Sequence, residues 1–576
     1  MKPIDLIKLH FRRHWRIIAL GLLALIVVDA MQLSIPRVIK QVVDDLTILK
    51  AGAGSLILQA AAIAALALSI GVFRYIWRRC LLGTARRLEE TLRNQLLAHV
   101  QTLSASYFDT AKTGDLMAHA TNDIQQVRMA AGMGLVAFND AVVLGAASIG
   151  FMLYIHVELT LYVLIPMPIL VLVTRLLGKR MHVRYRKVQA AFSDMTEAVR
   201  ERFAGVRMIK AHNGEAAAGR AVREVSQTYI DENIKLVGIM GLFLPMMMLL
   251  TNVSLALVLL IGGQRTILLE ITPGDFVAFI GYLNLLAWPM MALGWVTNLI
   301  QRGGASLERL KKILEHPPEI RDRSDTALPA PICGSIAFEK VSFAYDSHTV
   351  LRHIDLTAAP GETLGIVGPP GSGKSTLLNL VPRLYDVDEG RITIDGRPVQ
   401  NLPLKDLRSS IALVPQEPFL FAGTIAENLL FGCPDGCLNR MDKVLEDVGL
   451  AKTLERFPAG LETVVGEKGI LLSGGQKQRV ALARALLVDA PILLLDDPIS
   501  QVDSVTGQRI ARTIKGLGGE KTILIVSHRL SAVRFAHRIV TLQEGKVVEQ
   551  GTHDQLLRSD GYYAHIHALQ ELEDAV

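Results

Sequence analysis

Three short runs in the second half of the chain contain residues of a kind and arrangement suited to binding phosphate. Gly368–Ser375 reads Gly-Pro-Pro-Gly-Ser-Gly-Lys-Ser, a P-loop in which backbone N–H groups surround phosphate oxygens, the lysine reaches the outer oxygens and the serine holds Mg²⁺. Further along, Leu472–Gln476 reads Leu-Ser-Gly-Gly-Gln, and the apolar run Ile492–Leu495 leads into Asp496 and Asp497. A serine and two glycines just before a helix-forming stretch favour an anion at the helix start.

The P-loop contains two prolines that limit its donors. Pro369 and Pro370 lack backbone N–H groups, so the phosphate cradle must take its donors from Gly371 onward. The residues of this loop that we expect to contact a nucleotide are Gly368, Gly371, Ser372, Gly373, Lys374, Ser375 and Thr376.

Composition indicates a membrane protein. Of the 576 residues, 50% are hydrophobic and 20% are charged, with a mean hydropathy of +0.33, so the two kinds of residue must lie in different parts of the chain. The net charge of +6 fits Lys and Arg facing the cytoplasm of a membrane protein and gives no reason to expect nucleic acid. The spacing of the four cysteines gives no disulfide framework and none of the paired Cys/His spacings of a zinc site, which predicts cytosolic thiols. They are Cys80, Cys333, Cys433 and Cys437.

The first half contains six apolar runs long enough to cross a bilayer. The long connections after the second and fourth runs are rich in Arg and Lys, so the positive-inside rule places both termini and both connections in the cytoplasm. Apolar residues at helical spacing predict that these connections extend the spanning helices, with reversals near residues 107–115 and 203–210. The predicted spans are Ile17–Ile39, Ser55–Trp77, Met133–His156, Leu159–Leu177, Val237–Gly262 and Phe276–Ile300.

Few polar or adaptable residues stand out inside the spans. Asp29 and Asp140 are ionisable groups in apolar runs, where a charge is costly unless it faces protein or water. Either could contact a cationic cargo, and structural hydrogen bonding explains them equally well. The methionine-rich runs 245–248 and 288–291 could line an adaptable cavity, although methionine in a spanning helix more often packs or faces lipid.

A proline-rich stretch separates the two halves. Residues 316–335 predict a linker, with a transmembrane domain at 1–315 and an α/β P-loop domain at 336–576. Strands at Ile336–Phe343 and Glu362–Val367, followed by a helix at Ser375–Val381, place the P-loop between a strand and a helix.

The order and spacing of these motifs resemble the ATP-binding cassette (ABC) family over essentially the whole chain, in the arrangement of a multidrug exporter half-transporter. The resemblance implies a six-helix all-α transmembrane domain followed by an α/β cassette, with ATP and Mg²⁺ as ligands and two coupling helices at the predicted reversals. It implies the following roles: catalysis by Asp497, His528 and Gln416; nucleotide contacts by Tyr345, the P-loop, Ser473, Gly474, Gly475, Gln476 and Asp503; metal contacts by Ser375, Gln416 and Asp496.

One position departs from the family pattern. The family has Glu as general base after the Mg²⁺-binding Asp, and here Asp497 is shorter by one methylene. Because misplacement by roughly an ångström costs on the order of a hundredfold in rate, we expect slow hydrolysis at this site. The resemblance is then to the degenerate subunit of bacterial heterodimeric exporters, with the signature Ser473–Gln476 completing the site of a non-identical homolog.

Two other functions remain open from the sequence. A homodimeric lipid or peptide exporter would use Asp497 as its base, with His528 in support. An ATP-gated regulatory subunit would change conformation without moving cargo. In the leading interpretation the chain exports amphipathic drugs or lipids, contacts membrane lipid and lies in the cell inner membrane. No motif identifies the cargo.

Overall fold

The computed structural model describes residues 5–49, 52–322, 331–433 and 437–575. It divides into two compact units. The first contains Met1–Gln101 and Lys112–His316, and the second contains Thr102–Ala111 and Pro317–Val576. Of the predicted linker, residues 323–330 lie outside the described residues.

The first unit is helical, because long Leu-, Ala-, Ile- and Val-rich runs satisfy their backbone groups within one segment. Short π-helical turns interrupt several helices without ending them. Its helices are α1 (Asp5–Arg13), α2 (Trp15–Thr47), α3 (Ala53–Trp77), α4 (Gly83–Val100), α6 (Thr113–Ala118), α7 (Ile124–Met129), α8 (Leu135–Asn139), α9 (Gly145–Ile155), α10 (Val157–Leu164), α11 (Pro166–Ala204), α12 (Val206–Ala211), α13 (Glu215–Leu257), α14 (Gly263–Ile267) and α15 (Pro273–Leu314); α5 (Ala105–Thr110) belongs to the second unit.

Among the described residues, six helical segments are long and apolar enough to cross a membrane. The prediction of six spanning helices is therefore confirmed. Four of the segments run for 43 to 53 residues, longer than the roughly 20 residues a bilayer needs. The segments are Trp15–Thr47, Ala53–Val100, Thr113–Ile155, Val157–Ala204, Glu215–Ile267 and Pro273–Leu314.

The chain reverses where the sequence predicts it. α4 ends at Val100 and the short helix α5 precedes α6; later α11 ends at Ala204 and α12 precedes α13. Gly205 separates α11 from α12, and its backbone N–H still bonds to the carbonyl of Glu201. Each reversal therefore contains a six-residue helix that lies in sequence between two of the long helical segments, Ala53–Val100 and Thr113–Ile155 in the first case and Val157–Ala204 and Glu215–Ile267 in the second.

The second unit is an α/β domain with two sheets. Four strands form an antiparallel sheet in the order β2-β1-β4-β5, and six form a second sheet in the order β10-β9-β3-β8-β7-β6. The strands are β1 (Ile336–Tyr345), β2 (His348–Ala358), β3 (Thr363–Val367), β4 (Glu389–Ile394), β5 (Arg397–Pro398), β6 (Ile411–Val414), β7 (Ile492–Asp496), β8 (Thr522–Val526), β9 (Arg538–Gln543) and β10 (Lys546–Gly551).

The helices of the second unit cover the larger sheet, whose strands β3, β7 and β8 are buried along their length. Buried parallel strands read as continuous apolar runs, which is why the sequence indicates β3 and β7; β8 was not predicted. Besides α5, the helices are α16 (Lys374–Leu380), α17 (Leu404–Ser409), α18 (Ile425–Leu429), α19 (Met441–Asp447), α20 (Ala451–Leu454), α21 (Gly474–Val488), α22 (Ser504–Leu517), α23 (His553–Arg558) and α24 (Tyr562–Ala575). The predicted fold class is confirmed.

The prediction of free thiols is wrong for two cysteines. Cys433 and Cys437 form a disulfide, with their Cα atoms 6.4 Å apart, within the range that a disulfide spans. Spacing alone gave no reason to pair them. Cys80 and Cys333 are free cysteines.

Candidate functional site

The P-loop joins the buried strand β3 to the helix α16. Gly373 caps α16 with φ +97°, and Gly368 has φ +154°. A Cβ at Gly368 would lie 2.1 Å from the carbonyl oxygen of Leu542, and one at Gly373 would lie 2.7 Å from Leu351 Cδ2. Both positions therefore require glycine, and the loop can bend back over the start of α16.

The Lys374 ammonium lies inside this loop. Its Nζ donates to the carbonyl oxygens of Gly368 (3.0 Å) and Pro369 (2.8 Å) and to Ser372 Oγ (3.4 Å). The residue is only 6% exposed. Burial lowers the pKa of Lys374, and the carboxylates of Asp496 and Asp497 oppose that shift. A buried cation among oxygen acceptors fits a phosphate group, whose oxygens can take the place of the carbonyls.

The carboxyl ends of β3, β8 and β7 lie side by side in the larger sheet, which places Asp496 and Asp497 near the P-loop. We call this end of the sheet the P-loop edge. β7 pairs in parallel with β8, so that Asp496 lies opposite Val526, and Ile366 of β3 also lies opposite Val526. Burial raises the pKa of Asp496, as does the neighbouring Asp497 carboxylate, while Ser375, Lys374 and His528 oppose the rise.

The Ser375 hydroxyl and the Asp496 carboxylate are oxygen ligands of the kind that Mg²⁺ takes beside substrate phosphates. Gln416 follows β6 at the same edge of the sheet, because Val414 pairs with Leu495 of β7, and its side chain is exposed. The residues present therefore fit the predicted Mg²⁺ site.

Asp497 is buried, and its carboxylate, its N–H and its carbonyl are all hydrogen-bonded. It is 5% exposed, with φ +52°, and Ser527 Oγ donates to its Oδ1 at 2.7 Å. Its N–H donates to the Val526 carbonyl at 2.8 Å, and its own carbonyl accepts from Gln478 Nε2 at 2.5 Å. The carboxylate is thus already bonded beside the segment that carries His528.

Gln478 is a residue that the sequence analysis missed. It is 1% exposed and connects three motifs: besides the Asp497 carbonyl, its Nε2 contacts Ser500 Oγ at 3.2 Å, and its Oε1 accepts from the N–H of Gln501 at 3.0 Å. A glutamine on a helix face that is otherwise buried and apolar is the signal that could have identified it.

The signature begins α21. Ser473 Oγ accepts from the N–H of Gln476 at 3.4 Å, and Gln476 Oε1 accepts from the N–H of Ser473 at 2.8 Å, which is a capping box. Ser473 and Gly474 are exposed, and a Cβ at Gly474 would meet Gln501 Oε1 at 2.3 Å. The helix start predicted from the sequence is present, beside the Gln501 segment.

Of the remaining predicted residues, Asp503 and Tyr345 lie on other elements, whereas His528 follows β8 close to Asp496. Asp503 is the N-cap of α22 and accepts from the N–H of Thr506 at 2.9 Å, which lowers its pKa. Tyr345 ends β1 in the smaller sheet, and its ring packs edge-on against Phe343 and Tyr385 at 4.8 and 5.4 Å between centroids. His528 is exposed at the end of β8.

Helix α5 contacts this aromatic cluster. Tyr385 Oη donates to the Asp109 carboxylate at 2.9 and 3.2 Å, and Ser104 Oγ accepts from the N–H of Ile320 at 3.0 Å. Burial and the Asp109 charge both raise the pKa of Tyr385. A series of contacts thus leads from the tyrosine predicted to stack on adenine to the first chain reversal.

The two predicted intramembrane carboxylates differ in their partners. Asp29 is 2% exposed and accepts from Asn139 Nδ2 at 3.1 Å, which supports the structural explanation of that residue. Asp140 Oδ1 is buried and has no hydrogen-bond partner among the described residues. In the methionine runs, Met248 is 60% exposed and Met290 packs against the core, while the side chains at 247 and 291 lie outside the described residues.

Comparison with known proteins identifies both units. The family profile described as ABC transporter transmembrane region matches residues 18–290, and the profile described as ABC transporter matches residues 351–500.

Two relatives extend the match across the chain. The multidrug resistance-like ATP-binding protein MdlA of Escherichia coli (strain K12) is 36% identical over 571 residues, which cover 98% of this chain and 96% of the relative. An ATP-dependent lipid A-core flippase of Chromohalobacter salexigens is 35% identical over 504 residues, 87% of this chain and 86% of the relative.

A solved structure of a bacterial Atm1-family ABC exporter with ATP bound is similar with a TM-score of 0.77. It is 27% identical in sequence, and the match covers 96% of this chain and 99% of that one.

Proposed function

The chain belongs to the ABC transporter family as an exporter-type half-transporter, and from that premise we propose that it is one subunit of an ATP-driven exporter of amphipathic drugs or lipids. ABC half-transporters dimerise, so the working unit contains a second half-transporter. The cargo class is supported by the relatives, which include a multidrug resistance-like protein and a lipid A-core flippase.

The subunit binds ATP at its P-loop edge and hydrolyses it slowly. Lys374 neutralises the outer phosphate oxygens, while Ser375, Asp496 and Gln416 are the residues that would hold Mg²⁺. When bound, the ion would neutralise phosphate charge. Tyr345 stacks on adenine, and His528 contacts the γ-phosphate.

One observation carries the slow-hydrolysis proposal: the Asp497 carboxylate already accepts a hydrogen bond from Ser527 at 2.7 Å. The side chain is a methylene shorter than the family's glutamate, and it is directed to Ser527. A general base must come within hydrogen-bond reach of the attacking water, and a carboxylate that is both short and bonded elsewhere is poorly placed for that task.

The signature serves the partner. Ser473, Gly474 and Gly475 are intact, and Ser473 and Gly474 face solvent at the start of α21, where helix N–H groups favour an anion. In the dimer we place the start of α21 against the ATP of a non-identical homolog. That homolog has glutamate directly after the aspartate that corresponds to Asp496. That second site supplies most of the turnover.

ATP binding and hydrolysis drive the membrane half through the chain reversals. Closure of two cassettes on two ATP molecules moves the coupling helices and turns the cavity outward, and product release resets it. The Arg- and Lys-rich long connections support a cytoplasmic location for both termini. The membrane is proposed to be the cell inner membrane.

ATP turnover of the purified chain in lipid tests the proposal directly. We expect slow turnover, little changed by Asp497→Asn and raised by at least tenfold in Asp497→Glu, because only the longer carboxylate reaches the water. Lys374→Ala is the control for contaminating ATPase. Fast wild-type turnover that Asp497→Asn abolishes would establish Asp497 as a working base and overturn the proposal.

A homodimeric exporter is the second candidate function. The similarity to a lipid A-core flippase over 87% of the chain and the presence of His528 favour it. The same measurement separates the two, because a homodimer with two working sites needs no partner for rapid ATP turnover.

A further inference from the structure

The segment that carries His528 is held in part from outside the catalytic motifs. It leaves β8 at Val526 and has no regular structure until the short turn Leu530–Ala532. Ser527 holds its start, donating to Asp497 at 2.7 Å and accepting from the N–H of Arg529 at 3.0 Å. Besides the turn bond from the N–H of Ala532 to the carbonyl of Arg529 at 3.1 Å, the rest of the segment is bonded by one side chain of the C-terminal helix α24.

That side chain is Gln570. Its Nε2 donates to the carbonyl oxygen of His528 at 2.7 Å, and its Oε1 accepts from the N–H of Leu530 at 2.9 Å. One amide thus bonds the backbone on both sides of Arg529. The Gln amide presents a donor and an acceptor on one planar group, and its two bonds hold the backbone of the His528 segment.

Helix α24 is itself anchored to the cassette. Tyr563 is fully buried, its hydroxyl bonds to His553 Nδ1 at 2.7 Å, and its N–H donates to Glu549 at 3.2 Å. Gln570 lies seven residues after Tyr563, which is about two helical turns, so both lie on one face of α24. The anchor therefore sets where the amide of Gln570 meets the His528 segment.

From this geometry we infer that Gln570 is a positioning residue for ATP hydrolysis, which holds His528 at the γ-phosphate and makes the C-terminal helix part of the catalytic apparatus. Asp496 and Lys374 lie on strand and helix termini, whereas His528 lies on an irregular segment and its placement depends on added bonds. The inference rests on the role of His528 in the proposed function. It concerns a residue that none of the ABC motifs contains.

The test uses Gln570→Met, which keeps the length of the side chain and removes both hydrogen bonds. The matched control is Glu571→Met, the next position of α24, where the side chain is 73% exposed. Single-turnover hydrolysis is measured on the full chain in lipid, in the wild-type and Asp497→Glu backgrounds. Gln570→Met should lower the rate constant by about tenfold, since misplacement by a fraction of an ångström suffices, and should change the KM for ATP by less than twofold.

A double-mutant cycle shows whether Gln570 acts through His528. In a His528→Ala background, Gln570→Met should cause no further loss, because coupled residues are non-additive. Gln570→Glu keeps an acceptor for Leu530 but places an oxygen against the His528 carbonyl, so it should be as slow as Gln570→Met. Amide hydrogen exchange should quicken at Leu530 in Gln570→Met and stay unchanged in Glu571→Met.

Three results would overturn the inference. They are equal rates for Gln570→Met and Glu571→Met, an undiminished loss in the His528→Ala background, and unchanged exchange at Leu530. Failure of the proposed slow site would give a different result, because the turnover of Asp497→Glu would not exceed that of the wild type. The ratio of the rate constants of Gln570→Met and Glu571→Met could still be measured in either background.

Discussion

The P-loop edge and the signature helix of the cassette both favour an anion, yet they are completed differently. At the P-loop edge the polar side chains are buried and bonded within the chain: Lys374 is 6% exposed and Asp497 is 5% exposed. At the start of α21, Ser473 and Gly474 face solvent, and Ser473 Oγ accepts from the N–H of Gln476 in its own helix turn. One region is thus a set of buried side chains bonded within the chain, and the other is an exposed helix start that, in the proposed function, acts on the ATP of a second cassette.

The strongest test of this difference compares Lys374→Ala with Ser473→Ala in ATP binding. Lys374→Ala should raise the Kd for ATP roughly a hundredfold, because hydrogen bonds to charged groups contribute about 1.5–3 kcal/mol. Ser473→Ala should leave the Kd of the chain unchanged, as measured by equilibrium binding in detergent below the concentration at which cassettes pair. Equal losses would mean that the signature contributes to the pocket of its own chain.

The signature should matter for turnover instead. In the Asp497→Glu chain, Ser473→Ala should lower steady-state ATP hydrolysis by about tenfold, since a hydroxyl donor to the γ-phosphate of the facing site is lost. Thr506→Ala, a hydroxyl variant on the neighbouring helix α22, serves as the control. Unchanged turnover in Ser473→Ala would show that paired cassettes do not use this surface.

The contact between α5 and the aromatic cluster predicts a smaller effect. Tyr385→Phe removes the hydroxyl that donates to Asp109 at 2.9 Å, and Asp109 is exposed, so the cost is about 1 kcal/mol. We expect amides of α5 to exchange about fivefold faster, measured by hydrogen exchange in the nucleotide-free protein. Asp109→Ala, which removes the acceptor, should produce the same change, and the double variant should add nothing.

The smallest effect concerns pH at the anchor of α24. Burial lowers the pKa of His553 below 6.5, and the nearby His567 adds to that shift. The folded protein therefore favours neutral His553, so this stabilisation is complete above the unfolded pKa and is lost as pH falls through the folded pKa. Between about pH 7.5 and about pH 5.5, the unfolding midpoint should fall by roughly 1–2 °C more in the wild type than in His553→Gln.

The fold was largely predictable because its strongest signals are local. Continuous apolar runs identify the six spanning helices and the buried strands β3 and β7, and glycine spacing fixes the P-loop. The chain reversals were also predictable, since the charged connections keep helical periodicity only as far as Val100, before α5, and Ala204, before Gly205.

The candidate site was less predictable where it depends on distant pairs. Ser527 and Gln570 carry no motif, and their importance comes from hydrogen bonds to Asp497 and His528 that only folding creates. The prediction of a thiol at Cys433 and Cys437 failed for a related reason: spacing excludes disulfide frameworks and zinc sites, but the Cα–Cα distance of 6.4 Å that allows the disulfide is a property of the folded chain.

The ten residues Thr102–Ala111 belong to the compact unit that contains the cassette, although they lie between two membrane helices in sequence. A cassette exchanged between relatives at the linker alone would leave Asp109 facing a foreign Tyr385 and Ser104 facing a foreign Ile320. The transferable module is therefore discontinuous: a functional chimera must carry residues 102–111 together with residues 317–576.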